Sequence, residues 1–166
     1  MASTLTNETV LEWHAELLEH AARVLGAAVL STDPSKLDWV PAPTADSKAR
    51  SIYDQVHECV NVNRRSAKRV LGVDPGPFQQ GEHTFKSPEE AVTELKAATK
   101  ELADAVRSMS FEDLNASFDT PMGPMKRANV LAITLGNMHY HAGVVNSYQL
   151  MLGDQEFHFT PDMLFA

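Results

Sequence analysis

Apolar residues recur at the three- and four-residue spacing of an amphipathic helix in four separate stretches of the chain. In the first, Val10, Trp13, Leu17, Ala21, Val24 and Ala28 trace one side, and Leu11, Leu18 and Leu25 broaden it. Thr6 or Asn7 is placed to cap this helix, Glu8 suits its first turn, and Ser31-Thr32-Asp33-Pro34 should stop it. The second stretch starts between Asp46 and Ser51, carries Ile52, Val56, Val60, Asn63, Ala67 and Val70, and ends at Leu71-Gly72. In the third, Ser87 caps, Pro88 takes the first position and Glu90 closes a capping box, ahead of Val92, Leu95, Ala98, Leu102, Val106 and Met109. Ser110 to Leu114 suits one further turn. The fourth stretch, Lys126 to Asp154, has no proline and carries Leu131, Leu135, Met138, Ala142, Val145 and Leu152.

The segments between are irregular in composition. Residues 33–43 hold three prolines and Trp39, a large aromatic expected to pin the loop on the bundle surface. Residues 72–86 form a second long loop, and Asn115 to Pro124 a connector. No strand series and no solenoid repeat is apparent. The economical architecture is an all-α four-helix bundle, one domain over residues 1–166, with loops long enough for a crossover. Residues 155–166 form an apolar tail, with Phe157, Phe159, Met163, Leu164 and Phe165, expected to dock on its own bundle or on a second subunit.

Composition narrows the partners. The 166 residues are 43% hydrophobic and 22% charged, with a net charge of −8, which argues against nucleic acid or an anionic membrane as the main partner. A single cysteine, Cys59, excludes an internal disulfide and fits a reducing cytosol. No apolar run approaches the ~20 residues of a membrane span, and the N-terminus lacks the basic and apolar regions of a signal peptide. The expectation is a cytoplasmic protein. Arg64, Arg65, Lys68 and Arg69 gather in the last turns of the second helix, where they match its dipole and should face water.

Candidate chemistry lies beside the apolar stripe of the fourth helix, in the row Val130, Thr134, Asn137, His141, Val144 and Tyr148. Polar groups turned toward a core must be hydrogen-bonded or must bind something. Asn137 and His141, four apart, project from one side about 40° apart, whereas His139 lies about 200° from His141. The showy His-Tyr-His is therefore a poor chelating pair. His57 on the second helix is the natural partner for His141, because facing helices bring side chains together inside bundles. Two imidazoles and an amide are a thin ligand set for Zn, Ni or Fe, so a buried, hydrogen-bonded pair of histidines is the competing reading. Tyr53, His14 and Tyr148 are pocket neighbours on this view, and Cys59 is a small buried residue.

Several short motifs, in order, resemble the DinB-like (YfiT-like) superfamily. They are Trp39-Val-Pro41, Ser51-Ile52 with His57, Thr120-Pro121-x-Gly123, the H-x-G of His141 to Gly143, and Tyr148-Gln-Leu-Met-Leu-Gly153. The similarity spans roughly Glu8 to Asp154. It implies an up-up-down-down bundle, a homodimer, and a divalent Zn or Ni ion held by one second-helix His and a His-x-x-x-His pair on the last long helix. It also implies a metal-dependent enzyme, either a thiol-dependent transferase or a hydrolase, with a thiol or other small molecule as ligand. By position His57, Asn137 and His141 are the metal ligands, and Asn137 stands where the family pattern has His. Val144 and Gln149 likewise replace a Gln and an Arg. The alternative is a bundle without metal or catalysis that binds a ligand or serves structurally.

Overall fold

The computed structural model of the chain describes residues 7–43, 48–79, 81–120, 123–156 and 158. The four apolar stripes become α1 (Asn7–Ser31), α2 (Ile52–Val70), α3 (Pro88–Arg107) and α5 (Arg127–Met151), with a single-turn α4 (Phe111–Asn115) between the last two. Their starts follow local chemistry. Ser51 and Asp54 form the reciprocal capping box of α2, and Ser110 with Asp113 repeats it at α4. Ser87 Oγ accepts the Glu90 N–H, but the Glu90 carboxylate reaches back to the Lys86 N–H and leaves that capping box half built. Thr6, the alternative cap of α1, and most of the C-terminal tail lie outside the described residues.

Helix directions follow from the cross-helix contacts. Arg107 of α3 pairs with Glu12 and Glu19 of α1, while Val92 packs by Gly26, so these two run antiparallel. Tyr53 neighbours Phe85 just ahead of α3, and Asn63 meets Thr99, so α2 and α3 run parallel. Gln149 reaches Ala28 while Leu131 meets His14, so α5 runs parallel to α1; Tyr148 meets Gln55 while Met138 meets Asn63, so α5 runs antiparallel to α2. The bundle is therefore up-down-down-up, with α1 and α2 on one diagonal. This corrects the up-up-down-down order implied by the resemblance. The loop after α2 makes the crossover, since a helix of 19 residues spans roughly 28 Å and the loop must return that length.

Arg65 holds that crossover. Its guanidinium donates to the carbonyls of Pro75, Gly76 and Pro77, and it lies over the Phe78 ring. Arg64 pairs with Glu94 and Glu101 of α3. These two cations clamp the crossover and α3 while staying partly exposed, so the end of α2 is solvated as the sequence suggests. Gly72 closes α2 with φ +76°, a backbone conformation that favours glycine, and the Arg127 guanidinium lies over it. The connector before α5 contains a hairpin, β1 (Ser117–Thr120) antiparallel to β2 (Gly123–Lys126), that sequence periodicity did not show. Trp39 anchors its loop as expected, edge-on to Tyr148 with ring centres 5.6 Å apart.

The interior is aliphatic, with Leu18, Leu25, Val56, Leu95, Leu102, Met138 and Val145 fully buried. Buried polar side chains also enter it, among them Asn63, Thr99, Thr134 and Gln149. Asn63 Nδ2 donates to Thr99 Oγ1 at 2.9 Å and to Met138 Sδ at 3.4 Å. Gln149 Nε2 donates to Ala28 O, Ser31 Oγ and Thr32 Oγ1, each at 3.0 Å, and so satisfies the end of α1. Gln149→Met keeps the length and removes the donor. It should lower stability by about 2 kcal/mol, read as a lower midpoint in urea unfolding at unchanged slope.

Candidate functional site

The sequence turns one polar row of α5 toward α2, and the packing of those two helices leaves a cavity of about 800 Å³ beside it. Asn137, His141, Val144 and Tyr148 line it from that row, with Tyr140, Gly143 and Ser147 next to them. Gln55 and Glu58 of α2 face them, and Lys48 and Arg50, just ahead of α2, complete the wall. Tyr148 is buried and hydrogen-bonds the Arg50 backbone and the Gln55 side chain.

A chain of polar contacts runs through this wall. Cys59, fully buried, donates its S–H to Asn137 Oδ1 at 3.4 Å. That contact orients the amide, so Asn137 Nδ2 donates to His141 Nε2 at 3.1 Å. With Nε2 accepting, the neutral imidazole carries its proton on Nδ1, a buried atom without a hydrogen-bond partner among the described residues. Glu58 Oε1 lies 3.7 Å from His141 Nε2, and the Glu58 carboxylate is paired with the Arg50 guanidinium. Burial, and then the charge of Arg50, push the His141 pKa down to about 4. Burial pushes the Cys59 thiol up, so it is not a nucleophile near neutral pH.

The structure joins two of the three residues expected at the centre. Asn137 and His141 meet directly. His57 is not part of the cavity wall. It shares the α3-facing flank of α2 with Arg64, packs edge-on to Phe85 with ring centres 6.0 Å apart, and its Nε2 lies 3.0 Å from Asn61 Nδ2. Tyr53 joins the same group, beside His83 and Phe85, while His14 bonds the Leu131 backbone. His139 is exposed at the cavity rim. Glu58, one position after His57, is the α2 residue that reaches His141. Sequence reasoning missed it, together with Arg50, Lys48 and the link from Cys59. The available signal was Gln55 and Glu58 at i and i+3, a polar row on the opposite flank.

These residues do not suit a divalent metal. The His141 Nε2 lone pair already receives a hydrogen bond, and the Asn137 oxygen is turned to Cys59. Glu58 is neutralised by Arg50, whose own charge opposes a cation. Among the described residues, no group of three or more His, Cys, Asp and Glu side chains is arranged to hold a metal ion.

The depressed His141 value has a testable consequence. Unfolded, this imidazole takes up a proton near its ordinary 6.5, whereas folded it does so only near 4. The unfolded chain therefore binds more protons between those values. The stability that His141 contributes is fully present above about 6.5 and is lost as pH falls toward 4. The loss is on the order of 1–3 kcal/mol. Urea unfolding of the wild type and of His141→Gln across this range should show a steeper acid loss in the wild type. Parallel curves would contradict the assignment.

A search of curated proteins finds no significant match. Among solved structures, the fold is similar to the crystal structure of a conserved protein from Enterococcus faecalis, at 16% identity and a TM-score of 0.64, over 87% of this chain and 98% of that one. The family model of the DinB superfamily matches residues 11–145, most of the bundle and all of the cavity wall except Ser147 and Tyr148. The chain belongs to the DinB superfamily.

Proposed function

We propose that this member of the superfamily binds a small organic molecule in the cavity between α2 and α5 without using a metal ion. One observation carries the reading. The Asn137 amide donates to the His141 nitrogen that a metal would need, and the buried Cys59 thiol holds the amide in that orientation. The cavity volume falls in the range of small-molecule sites, about 300–1,000 Å³. A metal-dependent transferase or hydrolase would need an activated water or thiolate at an open coordination position, and this donor set is neutral at Asn137 and compensated at Glu58.

Self-association is the partner proposal. Ile133 is half exposed at the edge of a groove whose apolar part is Val62, Phe78, Met125 and Val130, with Arg65, Ser66 and Arg69 also lining it. The same groove on a second copy would cover it around a two-fold axis. No helix is long and apolar enough to cross a membrane among the described residues.

Two measurements test these proposals. Untagged protein analysed for Zn, Ni and Fe should carry no stoichiometric metal, and titrated Zn²⁺ should bind more weakly than about 100 μM. The Glu58→His/Asn137→His variant should bind Zn²⁺ at least about 100-fold more tightly, because it supplies three imidazoles. Near-stoichiometric metal in the parent, released by chelators, would contradict the metal-free reading. Ile133→Glu should shift the mass in solution from dimer to monomer; an unchanged dimer would place the contact elsewhere.

A further inference from the structure

The cavity's charge is opposite in sign to that of the chain. The protein carries a net −8, yet, its histidines set aside, the charged residues on the cavity wall are Lys48, Arg50 and Glu58, a balance of +1. Arg50 has five N–H donors, and its ion pair with Glu58 engages Nη1. Lys48 is exposed at the entrance. Across from these cations the wall is aromatic and low. The Tyr140 ring is 67% exposed and stands edge-on to His141, with ring centres 5.1 Å apart. Gly143 follows it on the wall, and a Cβ built there would meet nothing within 4 Å.

Resting on the reading of this cavity as a ligand site, we propose that the ligand is a small organic acid with a flat apolar body. Its carboxylate lies between Lys48 and Arg50, and its body covers Tyr140, Gly143 and Val144. Arg50 then bridges two carboxylates, that of Glu58 and that of the ligand. This keeps Glu58 in place and requires no rearrangement of the Asn137–His141 pair. Tyr140, largely exposed beside His141, is covered by the ligand and stacks on its flat body. Selectivity for an acid over its neutral amide comes from charge-assisted hydrogen bonds, which are about twice as strong as neutral ones.

The test titrates the full chain with phenylacetate, phenylacetamide and phenethylamine, three probes of one shape and different charge, by calorimetry and amide NMR. Phenylacetate should bind about tenfold or more tightly than phenylacetamide, with shifts centred on Tyr140 to Val144. Lys48→Glu, a change at an exposed position, should weaken phenylacetate by about tenfold and leave phenylacetamide unchanged. Gly143→Leu adds a side chain into open space on a helix. It should keep the melting temperature or raise it, and abolish binding of every probe. Equal affinity for acid and amide, or a preference for the amine, would overturn the acid assignment while leaving the ligand cavity standing. Undiminished binding in Gly143→Leu would overturn the cavity reading as well. No phenylacetate binding up to ~10 mM would also overturn the assignment.

Discussion

The Asn137 side chain has a donor end and an acceptor end, and in the structure its oxygen faces Cys59 and its nitrogen faces His141. A buried thiol has one proton to give, and it gives that proton to the amide oxygen. The amide nitrogen then faces His141, and the imidazole must accept. From this single orientation follow the neutrality of His141, its Nδ1–H tautomer and the occupation of its Nε2 lone pair. Glu58 and Arg50 complete the arrangement by pairing with each other beside it. A buried imidazole that accepts a hydrogen bond near a guanidinium is poorly disposed to take up either a proton or a metal ion.

The rest of the fold holds that pair of helices in register. Asn63 on α2, Thr99 on α3 and Met138 on α5 meet in one polar contact inside the bundle, with Asn63 one turn along α2 from Cys59. Gln149 ties the far end of α5 to the end of α1. Arg107 fastens α3 to α1, and Arg65 and Arg64 fasten the crossover and α3 to α2. Each buried polar group here fixes an alignment that aliphatic packing alone would leave free to slide, a role for which buried hydrogen-bonding side chains are suited.

Much of this was legible in the chain. For α2 the sequence bounded the start between Asp46 and Ser51, and the structure puts the cap at Ser51. The four helices, the cap at Ser87, the anchoring of Trp39 and the inward polar row of α5 all follow from local spacing, and the structure shows each of them. So does the facing of Asn137 and His141, which needs only the helical repeat. Three features were not legible, for physical reasons. The hairpin has strands of four residues each, too short to establish a period. Helix directions depend on which loop makes the crossover, which no local spacing states; Arg65 and its carbonyl partners hold the loop that does. Glu58 and His57 flank the same apolar stripe on opposite sides. Which flank meets α5 and which meets α3 is set by the order of helices around the bundle, and no local pattern encodes that order. Arg64, on the His57 flank, meets Glu94 and Glu101 of α3, and so shows which way the helix is turned.

The tautomer of His141 tests this account most directly. A nitrogen-15 spectrum of the imidazole at neutral pH should show a neutral ring with its proton on Nδ1 and an unprotonated Nε2 that accepts from Asn137. A proton on Nε2, a charged ring at neutral pH, or a metal bound to Nε2 would contradict it.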